Sequence, residues 1–457
     1  MTQNSPESAG NIVKFQISSN FTDYAVELSA GVVDFRYYEN VLSNSVTATA
    51  TLVETGYQAD DKGDAGGNQS TVDGLPIRGG ERTDITIEDA YGHELTFEEG
   101  LYVNRLRDVD PGTSKDVYFI DFASREFFAN EQTRVVKKYE GNIGDNVEKI
   151  LKDVLKVESD IDIDNTAVPY NFLGNDRKPF YVCTWLASKS IPEVTTEDGK
   201  SGKGGASGYL FFQTRDGYHF KSIDKTFTGE PKKKYIFNNS TNLPEGYDAK
   251  VLTYDINSDI DVGKNLMMGM YNNRSIFFNP LSFNYEVRSF PDTNTTPQIT
   301  EDTVPTEDEY LAKTQNAAEE PVGKLIPDEF RQSPTRFMSF VLDTGVMPSG
   351  ITSQDQLDTW SSEKAKDNFD VKETMVQSVM RYNQLFTVKT EITIPGDFSI
   401  KAGDLVQCDF PDLSGNESKD VNPETKGIYM VASVCHRITP SSSNTSLSLV
   451  RDSFGGK

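Results

Sequence analysis

Alternation of apolar and polar residues at a period of two is the most orderly pattern along the chain. It is clearest at 46–53, where Val46, Ala48, Ala50 and Leu52 share one face and three threonines share the other. Successive side chains of a strand point to opposite sides, so this segment is predicted to have one buried and one polar face. Similar runs separated by turn-rich pieces predict an antiparallel β-barrel or sandwich over 12–124, with strands at 12–17, 31–37, 83–87, 93–97, 101–106 and 117–123.

The pattern changes to helical spacing after residue 125. Apolar residues recur at every third or fourth position of 143–155, with charged residues between them, which predicts an amphipathic helix. A shorter helix is predicted at 184–190, ended by Pro192. The strand pair 208–214 and 218–223 flanks a turn at Arg215-Asp216-Gly217. Residues 125–240 are therefore predicted to form an α+β domain.

Strand patterns return in the last part of the chain. They occur at 251–256 and 274–285, and again at 385–394, 404–410, 428–435 and 446–450. We interpret 241–290 and 384–452 as two parts of a second β-barrel domain. The insertion 291–383 between them contains an acidic, Thr/Pro-rich stretch at 291–320 and a predicted helix at 372–383. The remaining segments are predicted to be a mobile loop at 57–74, rich in Asp, Gly and Ser, and polar tails at 1–11 and 453–457.

The charge balance narrows the classes of function. The 457 residues include 70 acidic and 45 basic side chains, a formal net charge of -25, which opposes tight binding to nucleic acid phosphates or anionic lipid. The N-terminus lacks a charged start followed by an apolar core, and no apolar run approaches the roughly 18 residues that a spanning helix requires. We therefore expect a soluble chain without a secretory signal and without stable membrane association.

Cysteines and histidines are too few and too scattered to indicate a catalytic or metal centre. Cys183, Cys408 and Cys435 lie far apart, at no zinc or redox spacing, which excludes a disulfide framework. The three histidines, at 93, 219 and 436, are also distant from one another, so a site built from them would require long-range convergence. His219 and His436 are predicted to be packing or hydrogen-bonding groups.

Two segments imitate ligand-binding motifs. Gly199-Lys200-Ser201 spells the end of a phosphate-binding loop, but Val194 occupies the position of its first glycine, which favours a flexible connection. Asp160, Asp162 and Asp164 imitate the start of a calcium loop. Asn165 and Asn171 stand where that loop needs Gly and Glu, and Pro169 intervenes, so we predict a half-buried strand with an acidic solvated face.

Carboxylates and tryptophans were weighed as parts of a carbohydrate-active site. Glu126, Asp216 and Glu391 lie beside apolar or aromatic residues, but 70 acids produce such neighbours by chance, which favours surface charge. Trp185 and Trp360 are interpreted as packing residues. No nucleophile, base and orienting group occur together in a recognisable motif. We therefore predict no catalytic, cofactor-binding or metal-binding residues and no cofactor.

Four groups of segments, in chain order, resemble the baseplate hub protein of contractile-tailed bacteriophages, particularly the T4-like group and its marine relatives. The last group is also similar to the closing strands of type VI secretion spike proteins. The resemblance spans most of 12–452. Its segments are LPIRGGE (75–81); DFASRE (121–126) with KKYEG (137–141) and the helix at 143–155; WLA (185–187) with GYLFFQTRDGYHFKSID (208–224); and IPG (394–396), KAGD (401–404), GIYMV (427–431) and LSLVRD (447–452).

The resemblance implies a structural protein without enzymatic activity. In that family, each subunit of a homotrimeric ring contributes two related β-barrels, so six similar units surround a channel that joins a six-fold tail tube to a three-fold spike. It implies a location in the tail baseplate of the virion, after assembly in the cytoplasm of the host bacterium. The implied partners are the central spike, tail tube and baseplate wedge proteins, while DNA only passes through the channel.

Two other classes of function were kept as alternatives. One is a β-rich, polysaccharide-degrading tail enzyme, and the other is a glycan-binding tail protein. The chain lacks the long Gly-rich repeats of many tail fibres, which argues against the second. For a hub, the acidic balance predicts a neutral or acidic channel, with Lys137, Lys138 and 232–234 facing outward or at subunit contacts.

Overall fold

The described part of this computed structural model is mainly β, as predicted, with a smaller helical component. The loop at 57–74, the excursion at 291–320, residues 1–9, the C-terminal tail and Trp360 lie outside the described residues, whereas Asn11 of the predicted N-terminal tail begins the first strand. The structure describes residues 10–21, 25–54, 77–111, 115–167, 169–193, 207–227, 229–238, 242–257, 261–270, 273–279, 283–290, 327, 335–341, 371–386, 388–411 and 425–451.

Most predicted strands occur with boundaries shifted by a few residues, but the predicted strand 274–285 is a hairpin of two strands, and several short strands were not predicted. They are β1 (Asn11–Ser18), β2 (Ala25–Glu27), β3 (Val32–Asn40), β4 (Thr47–Glu54), β5 (Arg82–Glu88), β6 (Glu94–Thr96), β7 (Leu101–Pro111), β8 (Asp116–Ala123), β9 (Lys138–Tyr139), β10 (Asp160–Ile163), β11 (Phe172–Leu173), β12 (Tyr209–Thr214), β13 (Gly217–Ser222), β14 (Lys233–Ile236), β15 (Ala249–Lys250), β16 (Thr253–Asn257), β17 (Asn273–Asn279), β18 (Asn284–Phe290), β19 (Arg336–Val341), β20 (Val388–Pro395), β21 (Leu405–Asp409), β22 (Gly427–Ile438) and β23 (Ser443–Arg451).

Six α-helices are described, and the predicted helices at 143–155 and 372–383 are among them. The first continues as a π-helix, Ile150–Leu155, and a 3-10 turn at Ser29–Gly31 precedes β3. The α-helices are α1 (Arg125–Gln132), α2 (Ile143–Lys149), α3 (Pro179–Ala187), α4 (Ile223–Phe227), α5 (Val262–Met267) and α6 (Val371–Leu385).

Helix α3 begins earlier than the predicted 184–190. Pro179 lies in its first turn, where a missing N–H costs no intrahelical hydrogen bond. Phe180, Val182 and Cys183 are buried against the π-helix segment, so burial extends the helix toward its N-terminus. The helix ends at Ala187, before Pro192.

One 15-stranded sheet joins the two β segments that the sequence analysis kept apart. Its main path runs β15-β14-β21-β22-β3-β4-β8-β7-β5-β1-β2; β16, β20 and β23 branch from β22, and β6 pairs with β5. The joint is the antiparallel pairing of β22 with β3, in which Cys435 lies opposite Tyr38. Among the described residues these pairings close no barrel, so the two-barrel arrangement and the ring remain predictions.

The sheet carries two separate cores on the same side. Phe35 and Tyr37 of β3 belong to the first core, and Val434 of β22 belongs to the second. Because Val434 lies opposite Glu39 in the pairing register, these side chains point to one face. Each predicted β segment therefore has its own core. The opposite face is open to solvent except where Met430 of β22 and Val450 of β23 are buried in a further core with the β12–β13 hairpin.

Some strands lie outside the predicted domain boundaries. β14, predicted in the α+β domain, pairs in parallel with β21 of the large sheet. β17 and β18, predicted in the second β domain, instead form a separate sheet with β19, a strand that was not predicted. Alternate side chains of β17, including Ser275 and Phe277, are buried on the side where α6 packs. β17 thus has a buried face of its own, against α6, apart from the large sheet.

Helix α6 fastens the β12–β13 hairpin to the rest of the molecule. The buried guanidinium of Arg381 donates to Asp224 at 2.6 Å, the Tyr382 hydroxyl donates to the carbonyl of Tyr209, and Ser207 donates to the carbonyl of Thr374. Apolar residues of the hairpin, α6, β21 and β22 form a fourth core beneath these contacts. The hairpin is therefore held at a fixed place beside the large sheet.

Candidate functional site

The most elaborate polar centre lies where the turn of the β12–β13 hairpin meets the large sheet. Glu39, on the core-facing side of β3, is 1% exposed. Its Oε1 accepts from the Tyr37 hydroxyl and from the Arg215 backbone N–H, both at 2.9 Å, and its Oε2 accepts from the Ala402 N–H at 2.8 Å. Burial raises the pKa of Glu39, and the hydrogen bonds and the nearby Arg215 charge oppose that rise. One carboxylate thus joins three regions of the chain.

A buried amide makes a second polar joint at the same hairpin. The side-chain oxygen of Gln213 accepts from the Val46 N–H at 3.1 Å and from the Ser124 hydroxyl at 2.8 Å, and its amide nitrogen donates to Glu126 at 3.4 Å. β12 is thereby fixed to the start of β4 and to the end of β8. At the turn, Lys401 pairs with Asp216 at 2.8 Å and adds a link to the C-terminal strands.

A cleft of about 270 Å³ lies beside these joints and contains a pair of carboxyl groups. Glu126 is 3% exposed, and Arg125 contacts both Glu126, at 3.2 Å, and Glu99, at 2.8 Å. Burial and the adjacent Glu99 charge raise the pKa of Glu126. Hydrogen bonds and the charge of Arg125 lower the pKa of Glu99, although its partial burial opposes this.

The surface-charge interpretation was wrong for Glu126. Its carboxyl group is buried because Arg125, Gln213 and Glu99 surround it, and only Arg125 is a sequence neighbour. The two carboxyl groups are in hydrogen-bond contact, whereas glycosidase pairs stand at least about 5 Å apart to flank a glycosidic bond. This arrangement holds Arg125 and favours one proton within the pair, because the charge of Glu99 adds to burial in raising the pKa of Glu126.

The other two weighed carboxylates are at the surface or near it. Asp216 is partly exposed and lies between Lys401 and Arg215, which lower its pKa although burial opposes this. Glu391 is exposed on β20, directly opposite Asp255 of β16. The structure does not bring Glu126, Asp216 and Glu391 into one site.

The histidine and tryptophan interpretations at 219, 436 and 185 are confirmed. His436 is buried, its Nδ1 lies 2.9 Å from the Thr445 hydroxyl, and burial lowers its pKa to about 3. The Nε2 of His219 lies 2.8 Å from the Thr214 hydroxyl. Trp185 packs edge-on against Phe172.

The structure describes one of the two segments that imitate ligand-binding motifs. Residues 160–163 form a strand whose Asp160 and Asp162 are exposed, as predicted. Asp164 departs from that prediction because it is buried and accepts from the Ser222 N–H at 3.0 Å. Gly199-Lys200-Ser201 lies outside the described residues. The three cysteines are free thiols, in agreement with the exclusion of a disulfide framework.

A broad polar face lies on the side of the large sheet opposite its two cores. We call it the polar face and define it by the outward residues of β16, β20, β23, β22, β3, β4, β8 and β7. It includes the predicted threonine side of β4, and its curvature forms an open groove of about 460 Å³ over β3, β22, β23, β20 and β16. The outward residues are Thr253, Asp255, Lys389, Glu391, Thr393, Asn444, Ser446, Ser448, Ser433, Cys435, Arg437, Asp34, Arg36, Tyr38, Asn40, Thr47, Thr49, Thr51, Val117, Phe119, Asp121, Arg105 and Arg107.

Charges on the polar face are paired across adjacent strands. Asp34 lies 2.8 Å from Arg437 and 2.7 Å from Arg36, and Asp121 lies 2.9 Å from Arg107. Such exposed pairs contribute little to stability. They do place a carboxylate beside Arg437 of β22, Arg36 of β3 and Arg107 of β7.

The sequence analysis missed the residues that organise these centres. Glu39 and Gln213 looked like ordinary polar positions, although each interrupts the apolar side of its strand, which was an available signal. It also missed the approach of Asp397 to the turn that contains Asp89 and His93. No local pattern could show that approach, since the two segments are about 300 residues apart.

The fold is similar to those of solved phage tail and secretion proteins, while no protein-family profile and no curated protein sequence matches the chain. A tail protein from Neisseria meningitidis MC58 shares 9% identity over 96% of this chain and 96% of that chain, with a TM-score of 0.49. The 43 kDa tail protein of prophage MuSo2 from Shewanella oneidensis shares 8% identity over 97% and 98%, with a TM-score of 0.48. A type VI secretion system component from E. coli shares 9% identity over 96% and 76%, with a TM-score of 0.42.

All three similarities have TM-scores below 0.5 and sequence identities below 10%. At such low identities, the similarity concerns the fold alone. Separately, no helix in the described part of the chain has the length and apolar character needed to cross a membrane.

Replacing Glu39 tests the joint of three regions. In Glu39→Gln, the side-chain NH₂ group replaces one of the two oxygens that accept hydrogen bonds in wild type, so two donors face each other. We therefore expect the free energy of unfolding to fall by about 2–4 kcal/mol. Urea denaturation at neutral pH measures the change. Glu391→Gln, an exposed substitution on the same sheet, is the matched control and should stay within about 0.5 kcal/mol of wild type. Equal effects of the two substitutions would contradict a special role for Glu39.

Glu126 should make the stability depend on pH in one direction. Its pKa in the folded state is raised, so its contribution to stability is complete below the ordinary pKa of a glutamic acid, 4.5, and is lost as pH rises through the raised value. Glu126→Gln keeps a neutral side chain at every pH. We therefore expect this variant to gain stability over wild type between pH 4.5 and neutral pH, as measured by urea denaturation at both ends. A gain that is independent of pH would contradict the proton-sharing pair.

Proposed function

We propose that the chain is a structural hub protein of a contractile phage tail baseplate, without enzymatic activity. In this proposal, three copies form a ring that adapts a six-fold tail tube to a three-fold central spike and surrounds a channel for genome ejection. The spike, the tube and the baseplate wedge proteins are its partners in the virion, and assembly takes place in the host cytoplasm. The sequence resemblance over 12–452 supplies the proposed identity.

The observation that carries the proposal is the polar face. Both cores pack on one side of a single sheet, and the opposite side remains exposed, hydroxylated and curved. An antiparallel sheet can leave one face to solvent. In a ring of such sheets, that face would supply a wet channel wall, with the two core-bearing units as neighbours along it: 12–124, and β16 with the strands of 384–452.

The charge arrangement of the polar face suits passage of a polyanion. Each uncompensated cation in a channel would add a phosphate contact and slow transit. The arginines at 36, 437 and 107 are matched by Asp34 and Asp121. Lys137 and Lys138 are exposed on the α+β segment, and Lys232 pairs with Asp404 at 2.9 Å, so these three lysines are not among the outward residues of the polar face.

Exposed apolar residues on the small sheet β17-β18-β19 support a role inside a larger assembly. The outward side of this sheet carries Ile276, Phe278, Tyr285, Phe337 and Val341, which are between 38% and 73% exposed. Contiguous apolar surface of this kind is rare on proteins that act alone, and it marks surfaces that contact other proteins.

The oligomeric state is the first test of the proposal. Light scattering on the purified protein should give a mass of three chains, either alone or after addition of a spike protein. A permanent ring commonly buries more than about 2,000 Å² at each interface, so the trimer should persist at high dilution. A monomer that ignores both spike and tube proteins would refute the hub.

Charge variants test whether the polar face lines the channel. Asp34→Asn combined with Asp121→Asn removes the carboxylate partner of Arg36 and Arg437 and the nearer of the two carboxylate partners of Arg107, so the assembled trimer should acquire DNA binding that weakens steeply with salt, as measured by fluorescence anisotropy. Glu140→Gln combined with Asp153→Asn changes the net charge equally on exposed sites of the α+β segment and should leave DNA unbound. DNA binding by wild type at physiological salt, or equal binding by the two double variants, would contradict this assignment of the face.

A further inference from the structure

A cluster of two aspartates and one histidine lies away from the polar face, at the turn between β5 and β6. The side chain of Asp89 is 0% exposed, and that of Asp397, from the segment after β20, is 8% exposed. The Nδ1 of His93 lies 3.0 Å from Asp89 Oδ2 and 3.7 Å from Asp397 Oδ1. Two buried carboxylates therefore converge on one imidazole nitrogen from distant parts of the chain.

We propose that Asp89, His93 and Asp397 form a binding site for Zn²⁺. Ligands about 2.0–2.1 Å from a tetrahedral zinc stand roughly 3.3–3.4 Å from one another, and the two measured separations lie on either side of that value. All three ligand atoms lie within 4.8 Å of one another, so small side-chain rotations bring them to one ion.

The donor set selects the metal. One imidazole nitrogen and two carboxylate oxygens match the three protein ligands of an open zinc site. Calcium takes six to eight oxygens, and magnesium takes an octahedron of oxygens, so neither suits this set. The His93 side chain is 41% exposed, which leaves a fourth position for water.

Surrounding hydrogen bonds orient the carboxylates toward the imidazole. Asp89 Oδ1 accepts from the N–H groups of Tyr91 and His93, both at 2.8 Å, while its Oδ2 accepts from the Phe398 N–H at 2.9 Å. Asp397 Oδ1 accepts from the Ser399 N–H at 2.9 Å and from the Ser399 hydroxyl at 2.5 Å. Such outer partners preset the ligands of metal sites.

Lys233 is the charged neighbour that acts against a cation. Its Nζ lies 3.5 Å from Asp397 Oδ2, the oxygen on the side away from His93. The same lysine favours the ionised carboxylate, which is the form that binds metal. The charges of the two carboxylates, Zn²⁺ and Lys233 sum to one positive charge. This excess is small compared with the formal net charge of the whole chain, -25.

A metal here would fasten the segment after β20 to the β5–β6 turn. The β5–β6 turn belongs to the first β segment, and Asp397 precedes Phe398, whose ring packs in the first core. A ligand that binds only the folded chain stabilises it in proportion to the logarithm of its concentration. The expected role of the zinc is thus to hold the segment after β20 against the first β segment.

Calorimetric titration of the full-length, metal-stripped protein with zinc sulfate tests the site. In excess Mg²⁺, which occupies diffuse acidic sites, we expect one Zn²⁺ per chain and a zinc-dependent rise in the thermal unfolding temperature. His93→Ala should weaken binding by more than about 100-fold, because loss of an outer-shell partner alone costs about 10- to 100-fold. This side chain is partly exposed, so the variant should fold, which circular dichroism verifies.

Matched variants separate ligation from general attraction. Glu94→Gln removes an exposed charge next to His93 without removing a ligand, and its zinc affinity should equal that of wild type. Asp397→Asn should lose binding as His93→Ala does. Absence of stoichiometric zinc binding, binding that survives His93→Ala, or equal weakening by Glu94→Gln would overturn the proposal.

Discussion

The arrangement of this molecule depends on one buried carboxylate, that of Glu39. It accepts hydrogen bonds from its own strand, from the hairpin turn at Arg215 and from the segment at Ala402. A buried charge without such donors is very costly, so the three regions are held at distances where the donors reach it. Apolar contacts between the same three regions stabilise their packing but do not fix their relative orientation, because the hydrophobic effect is non-directional. The hydrogen bonds to Glu39 fix that orientation.

Fixed direction matters because the sheet is shared. β22 pairs with β3, so any rotation of the C-terminal strands relative to the first β segment would break backbone hydrogen bonds along that joint. The hairpin, Gln213 and α6 brace the joint from the core side. These contacts hold the C-terminal strands to the first β segment, while the groove of the polar face stays open over β3, β22, β23, β20 and β16.

The sequence predicted the positions of strands and helices better than it predicted which strands pair with each other. The alternation at 46–53 and the helical spacing at 143–155 are local properties, and both elements appear where the pattern places them. The β22–β3 pairing and the separate sheet of β17, β18 and β19 depend on long-range register, which no local period encodes. The burial of Glu126 was missed for a similar reason, since its neighbours Glu99 and Gln213 come from two other segments.

The centres that sequence analysis missed share a physical feature. Glu39, Gln213 and Asp89 are polar groups whose burial is compensated by donors from remote backbone N–H groups, such as those of Ala402, Val46 and Phe398. Backbone donors carry no side-chain signature, so a single sequence cannot reveal them. Only the accepting side chain of such a hydrogen bond can be recognised in the sequence, as a polar residue that interrupts an apolar strand face. In this chain those interruptions mark the places where distant segments meet, and those meetings set the relative orientation of the units that a hub would have to keep constant.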